Sequence, residues 1–293
     1  MFKGLLMGFL GLVSAPGVAQ TTADSTGMVL FNLGRTYYEK GQLDSTLAIW
    51  SRIVDRGIGR HYDTYGSALF NIPNLYWQKK EYAKAKEGYR RVLASDLRDN
   101  AETGSLMEPH TNYKHQAAVA LAGLYQIDND YAEVVAWLDK AQTLYPYWGF
   151  EGSATSISLK EVHLLEWKTD ALLKQHKQAE AVREIILDLV YAGYPKEYFQ
   201  EAIDGLFTLL DKKSFSSDFG KALDKMVVKP AGKGWVASFL FQGILYQIPV
   251  SKERPSRAEP HFFRVLFIPK DQKVTSVALK DYILQLGLFK DLK

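Results

Sequence analysis

From about residue 27 to about residue 227 the apolar positions recur every three to four residues, the period of an amphipathic helix. Three stretches share one internal spacing. Leu30-x2-Leu33-Gly34-x2-Tyr37 is followed by Thr46-x3-Trp50, and Leu69-x2-Ile72-Pro73-x2-Tyr76 by Ala85-x3-Tyr89. Ala118-x2-Leu121-Ala122-x2-Tyr125 is followed by Val134-x3-Leu138 and then Pro146. Large residues four apart share a helix face, and small ones let two helices approach. Each stretch therefore predicts a helix pair, with its turn at Gly41-Gln42, Lys80-Glu81 or Asp128-Asn129-Asp130. Leu159 to Lys174 and Gln178 to Tyr191 predict a fourth pair. There Ala181-x3-Ile185 fits the second helix, but Lys168-Thr169 stands where the first has Leu-Gly. Lys196 to Leu210 and Ser217 to Val227 predict two further helices that cap the stack.

Two features disturb the repeat. Pro73 occupies the small position of the second pair, so its helix is expected to kink there or to start near it. The tyrosines Tyr37, Tyr76 and Tyr125 are 39 and 49 residues apart. The additional residues fall in 57–67 and 95–113, which are rich in turn formers and read as loops between pairs.

Lys229-Pro230-Ala231-Gly232-Lys233-Gly234 reads as a linker, and after it the period drops to two. Trp235, Ala237, Phe239 and Phe241 alternate with their neighbours. Ile244 to Val250 continues after a tight turn at Gln242-Gly243, and Phe262 to Ile268 is a third apolar run. Thr275 is the candidate N-cap of a last helix, Ser276 to Leu288. Three strands and a helix make a small α+β unit. At about sixty residues it barely sustains a core of its own, so it is expected to dock on the last helices.

The repeated spacing resembles the tetratricopeptide repeat, W-x2-L-G-x2-Y, then A-x3-F, then P, over roughly residues 27 to 150. The resemblance implies a mainly α fold, a tetratricopeptide-like α-solenoid of helical hairpins over residues 20–228. The small C-terminal α+β domain takes residues 229–293. It also implies a partner-binding groove lined by the first helix of each pair. Those positions are Phe31, Arg35 and Tyr38, then Phe70, Asn74 and Trp77, then Val119 and Gln126. The family's clamp of Lys and Asn for a peptide carboxylate is matched by Asn74 alone, and Phe31 and Phe70 sit where Lys would serve. An apolar peptide or protein surface fits that set better.

Composition narrows the chemistry. The 293 residues include no Cys, which excludes disulfides, thiolate metal sites and a cysteine nucleophile. A net charge of +3 is too small an excess to suggest nucleic-acid binding. Met1-Phe2-Lys3, an apolar run of ten residues from Gly4 to Val13, and small residues at Gly17 and Ala19 form the layout of a secretory signal peptide, residues 1–19. Ten residues at about 1.5 Å each cover only part of a bilayer core, so this segment reads as a signal and not as an anchor. No other stretch is apolar enough to span a membrane, and the mature chain is expected in the periplasm or cell envelope of a bacterium.

No G-x-S-x-G, H-E-x-x-H, P-loop or G-x-G-x-x-G is present. His110, His115 and Glu108 lie in a loop-like stretch and read as solvated side chains, so no metal and no cofactor is expected. The sequence therefore reads as a non-catalytic scaffold or adaptor whose partner is another envelope protein or a peptide. One alternative is an enzyme or enzyme subunit with Glu259, His261 and Arg264 between the repeats and the C-terminal unit. Another is a glycan-binding protein with Trp77, Tyr145, Tyr147 and Trp148 as a stacking platform.

Overall fold

The structure is a computed structural model, and it describes residues 22–60, 63–102, 110–148, 154–191, 200–253 and 265–286. The signal-peptide expectation for residues 1–19 lies outside the described residues, as do Glu259, His261 and Arg264.

Eight helices form four hairpins: α1 (Thr22–Glu39) with α2 (Leu43–Asp55), α3 (Thr64–Gln78) with α4 (Tyr82–Ala94), α5 (Tyr113–Ile127) with α6 (Tyr131–Thr143), and α7 (Ala154–Lys174) with α8 (Gln178–Tyr191). One turn closes all four. Gly41, Lys80, Asn129 and His176 each take a left-handed conformation, with φ between 59° and 71°. In the first hairpin the amide of Gly41 donates to the carbonyl of Tyr38, and that of Gln42 to Tyr37, both at 2.9 Å. The same two bonds recur from Lys80 and Glu81, from Asn129 and Asp130, and from His176 and Lys177. This is a Schellman closure, which satisfies carbonyls that the helix end leaves open. Its last residue also caps the next helix, since the carbonyls of Gln42, Glu81, Asp130 and Lys177 accept from Thr46, Ala85, Val134 and Ala181. The fourth hairpin thus has the repeat backbone although its sequence departs from the pattern. The fold is mainly α, a tetratricopeptide-like solenoid of helical hairpins followed by a small sheet.

The chain forms two compact units. The first holds the described residues up to Leu124 together with Tyr147 and Trp148. Within it α1 packs on α2, α2 on α3, and α3 on α4. Its core includes Trp50, Ile53, Leu69, Leu75, Ala85, Tyr89 and Val92. Gly34 lies under Trp50, where a Cβ would stand 2.7 Å from the indole Cδ1. The second hairpin reverses this fit. Pro73 brings a ring to the small position, and Gly88 on α4 makes room for it, since a Cβ there would come within 2.8 Å of the proline Cβ. The helix does not start at Pro73: α3 begins at Thr64 and carries the proline inside it.

The second unit runs from Tyr125 to Pro146 and from Ser153 onward. It adds α9 (Gln200–Leu209), α10 (Lys212–Asp224) and α11 (Ser276–Gln285) to a sheet of β1 (Val227–Ala231), β2 (Gly234–Phe241), β3 (Ile244–Ser251) and β4 (Leu266–Phe267). The strands lie in chain order, antiparallel from β1 to β3 and parallel between β3 and β4. The expected linker is β1 and its turn, so the sheet has four strands, not three. Pro230 is compatible with that place because β1 is an edge strand, where one backbone donor faces no partner. The tight turn at Gln242-Gly243 is present, with both residues at positive φ. Asp211 caps α10 by accepting from the amides of Lys213 and Ser214, so that helix starts at Lys212 and not at the expected Ser217. Alternate residues of β2 and β3 enter one core with α8, α9, α10 and α11, through Ala237, Phe239, Phe241, Tyr246, Ile248 and Val250. Phe219 of α10 stacks on Phe215 and meets Phe239 and Phe241 edge-on. The sheet therefore docks on the last helices and shares their core.

Candidate functional site

In the first unit, the predicted groove residues of α1 and α3 form a row on two neighbouring helices. All six are half-buried. Phe31 and Tyr38 stack on Trp50 of α2, with centroids 5.4 and 6.2 Å away. Arg35, between them, pairs with Glu39 at 3.1 Å. On α3, Phe70 and Trp77 flank Tyr89 of α4 at 6.1 and 6.3 Å. Asn74 accepts a hydrogen bond from the buried Tyr89 hydroxyl and donates to Asn71. Burial raises the Tyr89 hydroxyl far above the usual phenol range, so it stays a neutral donor. The amide of Gln78 donates to the Tyr38 hydroxyl at 2.8 Å and ties α3 to α1. The row is thus braced from behind by Trp50 and Tyr89. Such bracing holds aromatic side chains in place before any partner arrives.

The remaining two positions are less connected. Val119 is half-buried on α5, and Gln126 is half-buried in the second unit, where its carbonyl accepts from Asn129.

The stretches expected as loops between hairpins converge on the first turn of α5. Asp99 accepts from the amides of Lys114 and His115, both at 2.7 Å, which caps the helix with a carboxylate at its positive end. Asp63 accepts from the Tyr113 hydroxyl, which is also 2.8 Å from that of Ser67. Burial pushes both carboxyls up to about 6, against the opposing pull of these hydrogen bonds. The Tyr113 hydroxyl is raised by burial first and by the Asp63 charge second. Asn112 clamps the backbone of Trp148, donating to its carbonyl at 2.9 Å and accepting from its amide at 2.7 Å. This polar cluster escaped the sequence reading. Its members are widely separated along the chain, and only the chain's path unites them.

Several candidates are changed by this geometry. His115 is buried with its ring 5.4 Å from that of Tyr147, so it is not a solvated loop side chain. Tyr147 is itself buried, and Trp148 lies edge-on to His110. Tyr147 therefore offers no open face for stacking, while Trp148 is half-buried. Among the described residues no group of three His, Asp or Glu stands ready to hold a metal ion, and no helix is long and apolar enough to cross a membrane.

No protein-family model matches the sequence, and no curated protein does either. Among solved structures, the chain is similar to a Podosopora anserina protein described as a putative kinesin light chain with nearly identical TPR-like repeats. One crystal structure, of a point variant of that protein, matches at 14% identity and a TM-score of 0.43, covering 65% of this chain and 87% of that one. A second matches at 14% identity and a TM-score of 0.39, covering 70% and 87%.

Proposed function

We propose that this chain is a non-catalytic scaffold or adaptor of the bacterial cell envelope, exported by way of residues 1–19, that holds a peptide or protein surface along α1 and α3. One observation carries the reading: Phe31, Arg35, Tyr38, Phe70 and Trp77 stand half-exposed in a row, fixed by Trp50 and Tyr89 behind them. Aromatic rings and Arg are the side chains that anchor protein interfaces, and fixing them beforehand lowers the ordering cost of binding.

The choice of variants follows from the packing. Phe31 and Tyr38 also support Trp50, so truncating them damages the fold. Arg35 pairs along its own helix with Glu39, and Trp77 meets Tyr89 by its edge. The test is a pull-down from native cell envelope with the parent beside an Arg35→Glu, Trp77→Ala variant of unchanged thermal unfolding. A protein held by the parent and lost by the variant is expected. Equal recovery by both sinks the reading.

A further inference from the structure

The shared turn fixes which residues of the four hairpins are equivalent, and this exposes an anomaly on α1. Counted back from the left-handed residue, Val29 corresponds to Ala68, Ala117 and Leu164, all buried. Thr36 corresponds to Leu75, Leu124 and Ala171, all buried. Leu33 corresponds to Leu121 and Lys168, which are buried, and to Ile72, which is half-buried. Yet Val29 is 66% exposed and Leu33 43%, and Thr26 and Thr36 are exposed with them. This is the face by which a first helix receives the preceding hairpin: α3 packs on α2, and α7 on α6. At the position of Leu33, Lys168 reaches back to Asp139 on α6. On α1 the same face meets no earlier hairpin among the described residues.

Its pattern says what fits there. Thr26, Val29, Leu33 and Thr36 are spaced three, four and three residues apart, so the order of residue classes reads the same in both directions about residue 31. In an antiparallel pair centred on that residue, Val29 opposes Leu33 and Thr26 opposes Thr36. The one other exposed residue between them is Asn32, and none of the five carries a charge. A second copy therefore meets this face without like-charge contact and with its helix dipole reversed. The Thr36 hydroxyl already donates to the carbonyl of Asn32, so it demands no partner across the contact.

The geometry points to a symmetric dimer in which α1 packs antiparallel on α1 of a second copy through Val29 and Leu33. At about 100° per residue this face lies on the side of α1 away from Phe31, Arg35 and Tyr38. The dimer leaves both rows open and makes the assembly bivalent, which raises avidity for a partner that presents two sites. One helix pair buries far less than the roughly 1,600 Å² of a standard interface, so the dimer is weak and concentration-dependent.

The test is sedimentation velocity on the mature chain, residues 20–293, from about 1 µM to about 1 mM, a span that brackets weak association. The parent is expected to pass from monomer to dimer. Leu33→Glu, at a site exposed in the monomer, is expected to weaken association at least tenfold. Adding Val29→Lys to it restores association, because each new cation then opposes a new carboxylate of the other copy, and salt weakens this restored dimer. A parent that stays monomeric overturns the proposal, whether another segment or another protein covers the face. So does a Leu33→Glu variant that associates like the parent, which places the contact elsewhere. A double variant as weak as the single one rejects the antiparallel register.

Discussion

The two compact units solve the same packing problem with different chemistry. The first packs its first two hairpins through an apolar core but fixes the start of α5 through polar groups: Asp99 on the amides of α5, Asp63 on Tyr113, and Asn112 on the backbone of Trp148. The second joins its helices and sheet through an apolar core dense in Phe, and among its described residues Lys168 is buried with Glu184 and reaches the half-exposed Asp139. The difference teaches where each unit is vulnerable. Hydrophobic contact is non-directional and tolerates adjustment, whereas buried polar groups hold only while their partners are present.

The largest expected effect is in the second unit. Phe219→Ala removes a ring that meets Phe215, Phe239 and Phe241 and should cost about 3–5 kcal/mol. Because helices and sheet share this core, hydrogen exchange at the amides of α10 and of β2 should lose protection at one denaturant midpoint. Separate midpoints would mean that the sheet folds by itself.

Next is the ionic group. Glu184→Ala leaves the buried Lys168 ammonium with Asp139 alone, and a loss of about 3 kcal/mol is expected from denaturant unfolding. Lys168→Met with Glu184→Leu should recover most of it, since an apolar pair avoids the desolvation of the charges. A double variant no better than the single would show that the charges themselves are needed.

The first unit should respond to pH instead. Asp63 titrates at about 6 in the fold, above its ordinary value of 3.8. A raised folded value means that the folded state binds the proton more tightly. Its contribution is therefore fully present below about pH 4 and is lost as pH rises through 6, by up to about 3 kcal/mol. Asp63→Asn should flatten stability between about pH 4 and 6.5, with Asp99, also at about 6, supplying the slope that remains. An unchanged profile would assign the slope to other groups.

The smallest effects come from two glycines. Gly34→Ala forces a methyl toward Trp50 and should destabilise by about 1–3 kcal/mol. Gly205→Ala, in the helix α9 with nothing within 4 Å of the added carbon, should stabilise by about 0.5–1 kcal/mol. Thermal unfolding of the pair reads the sign of each directly.

Much of this fold was legible beforehand because it is written locally. Tyrosines at a fixed distance from the second apolar row marked the hairpins, and Gln242-Gly243 and Thr275 marked a turn and a cap. The misreadings have identifiable causes. Pro230 and Gly232 suggested a linker because both disfavour regular structure, but an edge strand tolerates proline. Pro73 suggested a kink or a helix start, and the helix does not start there, because α3 carries the proline inside it and the compensating Gly88 lies on another helix. The six groove positions on α1 and α3 could be named from spacing, but not their bracing on Trp50 and Tyr89.

The sequence by itself determined the helix periods, the hairpin turns and the alternation of the sheet, since each depends on residues within a few positions of one another. Only the tertiary structure decided that Lys168 has ionic partners, that two loop carboxylates meet the first turn of α5, and that Val29 and Leu33 stay open where their counterparts are largely closed. The physical reason is the range of the forces involved. Backbone geometry and helical periodicity act over one or two turns, whereas burial depends on every element that packs nearby, and only the folded chain specifies those.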